Sequence, residues 1–450
     1  MGAIKNFPKI FYKKISLPAE KPFLSNSLKL ITSNFLLLIL FVSLLLLTAC
    51  EDEITQPTPK PPGYQEDIPW PSLANSPWPM YRADPQNTGR SKFISCIGGS
   101  FDFKIDSLRN VTGVSVGLDS SIYFVAGVFQ GNIEKSGLYC YTSDGNFKWM
   151  FKFPVYTYSI SPLITSDGTI YVSSRIEKRM YAVTEKGKLK WELNDVRPSQ
   201  TGINIGKDGT IYFLDDLSGL MTLTAVSSEG SILWRLSNSD FSGDELDGMS
   251  FSPDGKILYI PGWFNKQAIF AVDVETKSIK WEFGKNRVYL NGAPIVDSDG
   301  NIYVISSDEN ANGFLYSVSP DKKIRWSYPL GIFGIVQSFN HFSMDKNGNI
   351  YLGLDTLYSI SYNGKLNWKY KSSFIGGVSS PIVCDANGSI YFRWGNYTES
   401  NHLVSLDSDG LINWSFEEDQ LAGLSSYSPS LSYKDIFIPN FHINSIYVLN

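Results

Sequence analysis

A short phrase recurs eight times along this 450-residue chain: a turn, then isoleucine and tyrosine or close equivalents. It reads Ser121-Ile122-Tyr123, Asp167-Gly168-Thr169-Ile170-Tyr171, Asp208-Gly209-Thr210-Ile211-Tyr212, Asp254-Gly255-Lys256-Ile257-Leu258-Tyr259, Asp299-Gly300-Asn301-Ile302-Tyr303, Asn347-Gly348-Asn349-Ile350-Tyr351, Asn387-Gly388-Ser389-Ile390-Tyr391 and Asp435-Ile436-Phe437. Repetition at a period of about 45 residues constrains a chain more than any composition does, because every copy must solve the same packing problem. Asp-Gly and Asn-Gly between apolar stretches favour the φ > 0 turns that join antiparallel strands, so each phrase marks a hairpin.

A second phrase, tryptophan then any residue then an apolar one, follows each of the first seven. Its copies begin at Trp149, Trp191, Trp234, Trp281, Trp326, Trp368 and Trp414. Side chains alternate along a strand, so the tryptophan and the residue two beyond it share a buried face. A fixed place in every unit assigns these seven rings to packing between units rather than to ligand stacking. Between the two phrases lies a further apolar strand and turn, as in Met180-Tyr181-Ala182-Val183 before Glu185-Lys186-Gly187, which makes four strands per unit.

Four-stranded units of this length cannot bury both faces alone and stack radially around an axis. The chain is therefore expected to be all-β, an eight-bladed β-propeller. An eighth tryptophan is missing, but Phe101-Asp102-Phe103 precedes the first hairpin and aligns with Trp149-Met150-Phe151. After Phe437 the chain reaches only Ser445-Ile446-Tyr447-Val448-Leu449-Asn450, short of a fourth strand. The N-terminal strand is expected to complete the last blade and leave no open edge between first and last.

The copies at Asp167 to Val172 with Tyr181 to Trp191, and at Phe270-Ala271-Val272-Asp273 with Thr276 and Trp281, resemble quinoprotein-type repeats. That family's pattern runs from Asp-Gly-Thr-Ile-Tyr-Val through Tyr-Ala-x-Asp to Gly-Lys-x-x-Trp. Trp78-Pro79-Met80-Tyr81-Arg82-Ala83-Asp84-Pro85-Gln86-Asn87-Thr88-Gly89-Arg90 also resembles the opening segment of many such propellers. No Asp follows the tryptophans and no Gly-His dipeptide recurs, which separates the chain from WD40 repeats. The resemblance spans residues 77–450 and implies one of two trades. One is quinone-dependent oxidation of an alcohol or sugar, with pyrroloquinoline quinone and calcium on the axis. The other is non-catalytic scaffolding by lipoproteins similar to assembly factor B of the outer-membrane barrel-assembly machinery.

Lysines at 5, 9, 13, 14, 21 and 29 precede an apolar run from Phe35 to Leu47. Thirteen apolar residues span roughly 20 Å as a helix, short of the ~30 Å hydrocarbon core, so the run reads as a signal-peptide core. Leu47-Thr48-Ala49-Cys50 resembles the lipobox of bacterial lipoproteins, which implies cleavage before Cys50 and acylation of its thiol. Glu51-Asp52-Glu53 and the proline-rich 56–63 then form an extended polar stalk. The expected organisation is a signal peptide over 1–49, a tether over 50–76 and a propeller over 77–450. The resemblance places the chain at the outer membrane, on its periplasmic face or the cell surface.

Chemistry is sparse. Without residues 1–49 the formal charge moves from -5 to -10, and no basic run marks the body of the chain, which excludes a nucleic-acid partner. Beyond Cys50 the cysteines are Cys96, Cys140 and Cys384, an odd number with no adjacent pair, so the vicinal disulfide of the family's dehydrogenases is absent. His341, His402 and His442 lie in different units without ligand spacing. Gly113-Val114-Ser115-Val116-Gly117 has the letters of a nucleophile elbow but sits on a first strand followed by a hairpin. Asp297-Ser298-Asp299-Gly300 and Asp407-Ser408-Asp409-Gly410 read as turns, lacking the further oxygen ligands of a calcium loop. The first strands begin near Ser159, Asn204, Ser250, Asn291, Asn340 and Ser379, which offer no charge for a quinone's carboxylates. No cofactor or metal is expected. Trp263 and Trp394 stand outside the repeat register just past second strands, where exposed loops would let them contact a ligand such as a glycan. The reading is a non-catalytic, lipid-anchored scaffold that binds a protein partner at the outer membrane.

Overall fold

The computed structural model describes residues 60–450 apart from 97, 131–132, 155–160, 217–219, 242–247, 263–268, 285–287, 291–292, 309, 311, 333–341, 396–400, 419–427 and 441–443. Blade 2 shows how the repeat builds a sheet. Gly168 adopts φ +78° and its N–H reaches Thr165 O at 2.9 Å, while the Asp167 carboxylate accepts the Thr169 N–H at 3.0 Å. That turn sends Leu163–Ile164 into Ile170–Ser174, which pairs with Arg179–Val183 and then Leu189–Asn194. The second strand is buried throughout and the third nearly so, while the fourth alternates between exposed and half-buried, as an outer strand must.

The same meander recurs over 115–153, 163–194, 198–237, 250–283, 288–332, 343–370 and 377–418, giving blades 1 to 7. Blade 8 consists of Ser430–Leu431, Ile436–Asn440, Ser445–Leu449 and, from the other end of the chain, Phe101–Ile105. The short first strands of neighbouring blades lie against one another and form the inner ring, as Ser115–Val116 does with Leu163–Ile164 and Ser430–Leu431. The chain is an all-β, eight-bladed propeller closed by its N-terminal strand. Antiparallel order puts the 1–2 and 3–4 turns at one end of the ring, here called proximal. The 2–3 turns and the blade-to-blade connections lie at the other, distal end.

Closure differs from expectation by two residues. In blade 1, Tyr123 pairs with Cys140 and Cys140 with Trp149. In blade 8, Phe437 pairs with Val448 and Val448 with Phe103, so Phe103 rather than Phe101 takes the tryptophan position. The bulge at Asp102 is the one that every outer strand carries immediately before its aromatic residue, which marks Phe103 as the equivalent. Opposite Leu449 and Val448, Phe101 and Phe103 lie on opposite faces, which alternation along an unbulged strand does not show.

Each tryptophan half-buries itself between two blades. Its ring faces its own blade's tyrosine at centroid distances of 5.6–6.0 Å, from Tyr123 with Trp149 to Tyr391 with Trp414. Four indoles also donate across the gap to a 3–4 turn of the next blade, as Trp149 does to Glu185 O at 3.0 Å and Trp368 to Ser408 O at 2.8 Å. The turn glycine beneath is held at positive φ, and a Cβ on Gly187 would stand 2.7 Å from the Trp149 ring. The seven rings thus pack against the tyrosines of their own blades.

Candidate functional site

The axis of the ring is occupied by the chain's own opening segment. First strands of a propeller leave their inward edges unpaired, and buried backbone N–H groups demand partners. Carbonyls of this segment supply six of them. Trp78 O accepts from Val116 N, Pro79 O from Ile164 N, Pro85 O from Phe251 N, Gln86 O from Val296 N, Thr88 O from Met344 N and Gly89 O from Cys384 N, all at 2.8–3.1 Å. These belong to blades 1, 2, 4, 5, 6 and 7. Blade 3 is tied by the Trp70 indole, which donates to Ile205 O, and by the Asn204 amide, which donates to Pro85 O.

Tight curvature of the segment is written in its backbone, with Arg82, Ala83, Asn87 and Gly89 all at φ between 61° and 71°. The buried Arg82 guanidinium donates to the carbonyls of Ile382 and Phe342, tying the plug to two blades at once. Gly89 is required by that contact, since a Cβ there would lie 2.6 Å from the guanidinium. Asp84 accepts from the backbone N–H and hydroxyl of Thr88. Burial deep in the ring pushes its carboxyl above the usual range, against the pull of Thr88, Arg90 and Arg82.

Over the proximal mouth lies a cavity of about 450 Å³, walled by Asp67, Trp70, Asp84, Arg90 and Lys92 among others. Asp67 bridges Arg90 at 3.6 Å and Lys346 at 3.2 Å, while Gln65 accepts the Ser298 N–H at 2.8 Å. Chain packed on the ring is present from Gln65 onward, ahead of the boundary read at residue 77, because Trp70, Leu73 and Ala74 bury apolar surface that a stalk lacks. The arrangement offers both signs of charge and an aromatic wall. The described lining contains no histidine or cysteine, and the Ser76 hydroxyl is committed to Val116 O.

The sequence-derived candidates fall into place as follows. Trp394 is corrected: it lies inside the strand Ile390–Gly395, fully buried, with its indole donating to Phe374 O at 3.1 Å. That strand runs further than the loop boundary read from the sequence, so the ring packs against Tyr370 instead of meeting ligand. Trp263, Cys50, His341, His442, Ser159, Asn291 and Asn340 lie outside the described residues. His402 is buried and stacks on Phe374. Ser115 is buried in a first strand, its hydroxyl donating to Pro162 O. Asp297 is a buried turn residue that accepts from Asn301 and the Tyr303 hydroxyl. Cys96, Cys140 and Cys384 are buried free thiols, and burial pushes the Cys140 thiol up to about 11. Among the described residues no cluster of His, Cys, Asp or Glu suits a metal ion.

No family model matches the sequence, and no curated protein matches it either. Solved structures do. The Dos1 propeller is 12% identical over 78% of this chain and 94% of its own, with a TM-score of 0.54. Saccharomyces cerevisiae Sqt1 is 11% identical over 79% of this chain and 99% of its own, also at 0.54. An inactive virginiamycin B lyase from Staphylococcus aureus, solved with quinupristin, is 13% identical over 77% and 98%, at 0.43. The likenesses to Dos1 and Sqt1 are of fold: the chain is a β-propeller.

Proposed function

We propose that this chain is a non-catalytic binding propeller held at the outer membrane through an acylated Cys50, in the manner of a barrel-assembly accessory lipoprotein. One observation carries the reading. The axis, where the quinone enzymes of the resembling family hold their cofactor, is filled here by residues 78–90, whose backbone is committed to six inner strands. A ring plugged in this way offers its ends and rim to partners and keeps its centre for itself. Recognition of a protein would then rest on a few anchor side chains among the surface loops.

Crosslinking in intact cells, followed by identification of the proteins captured with the acylated form, tests this. Recovery of barrel-assembly components is the expected result. Capture of transport or glycan-handling proteins, or of no partner, overturns the scaffold reading and brings quinone-with-calcium binding forward as the next assay.

A further inference from the structure

The outer strands of blades 1, 2, 3, 5, 6 and 7 open with Phe147, Leu189, Ile232, Ile324, Leu366 and Ile412, which are 38–57% exposed. Each stands two residues before its tryptophan, at the proximal end of the strand, and Phe101 adds an equivalent in blade 8. The proximal end holds twelve of the sixteen exposed large apolar side chains among the described residues. Packing of the tryptophans does not ask for this, because the bulge after each position sets it on the face opposite its tryptophan. A protein partner meets an arc of a ring, whereas a belt repeated around the circumference suits a surface that looks the same in every direction.

The chain outside the ring points to which surface. Gly63 sits at the proximal end, where a Cβ on it would touch Tyr362 of the 3–4 turn and its carbonyl lies beside Gly348 of the 1–2 turn. Ten residues separate Pro61 from Cys50, the acylated anchor of the reading above, a reach of at most about 36 Å. We propose that the proximal end docks on a lipid bilayer, with the apolar belt in the headgroup region. The inference takes from the anchored reading the acyl anchor and the membrane concerned, not the face.

The test uses the chain acylated at Cys50, reconstituted into vesicles of phosphatidylethanolamine and anionic phosphatidylglycerol doped with nitroxide lipid. Fluorophores are attached at Leu189→Cys, Ile324→Cys or Ile412→Cys, and for comparison at Ile176→Cys or Ile375→Cys of the distal end. Belt labels are expected to be quenched at least threefold more than distal ones. Leu189→Ser with Ile324→Ser and Leu366→Ser should lower quenching at Ile412→Cys at least twofold. Equal quenching at both ends of a chain that sediments with vesicles overturns the docking and leaves the acyl anchor standing. A chain left in the supernatant overturns both. Protection of belt labels that scales with protein rather than lipid assigns the belt to a second copy and overturns the proposal.

Discussion

Single residues matter here where backbone shape and a neighbouring ring coincide. Gly187 and Gly209 share positive φ, +74° and +87°, but a Cβ meets Trp149 at the first and nothing within 4 Å at the second. Gly209→Ala should cost only the left-handed backbone penalty, about 1–2 kcal/mol. Gly187→Ala should cost about 3 kcal/mol or more, because the indole must also move. Paired denaturant titrations decide it, and equal losses would remove the tryptophan seat from the account. Asp84 sets a pH dependence of defined sign. A raised folded-state pKa means protonation favours the fold, so its contribution is full below the unfolded pKa and falls away as pH rises through the folded one. Asp84→Asn should therefore melt at least as high as the native chain at pH 7, the gap closing as pH drops towards about 4. A variant that melts lower at pH 7 would show the carboxylate to be a net stabiliser.

At the scale of the strand, the closing segment separates what pattern reveals from what it conceals. Asp-Gly and Asn-Gly turns announce hairpins because only a few residues tolerate φ > 0 there, and this made six of the eight blades readable, the apolar-aromatic pair after the turn marking the other two. The register of Phe101–Ile105 was not readable, since plain alternation puts Phe101 and Phe103 on one face, whereas the bulge at Asp102 sets them opposite Leu449 and Val448, on opposite faces. Phe103→Ala should accordingly cost about 2–3 kcal/mol in chemical unfolding, against less than about 1 kcal/mol for Phe101→Ala. The reverse order would restore the alignment with Phe101. Trp394 was misplaced for a related reason, as the end of an apolar strand is invisible when the residues beyond it are also bulky. The plug eluded pattern more completely. Its links to the ring run through carbonyl oxygens, which every residue possesses, so residues 78–90 looked distinctive without showing where they would lie. Arg82 and Asp84 gave a partial signal, as charges inside an otherwise turn-like run.

For the whole molecule, stability is held in common. Five blades lend their outer strand to the next through a tryptophan seated on a turn glycine, and blade 8 is assembled from both ends of the chain. Repeat arrays normally gain stability by nearest-neighbour increments, but a closed ring whose axis is stapled to six blades has no terminal unit to fray. Removal of residues 445–450 deletes the partner of Phe101–Ile105 and the Asn450 backbone pairing with Ser100. The shortened chain should lose the single cooperative thermal transition of the native one. Persistence of that transition in calorimetry would mean that seven blades suffice.

The threading of residues 78–90 through the ring also fixes a schedule. This stretch leaves the ribosome before any blade exists, yet its partners extend to Cys384, and the strand that follows it waits for Val448. Contacts of such long sequence separation form late and slowly. The polypeptide consequently stays loose until its last strand is available, and the ring locks only then.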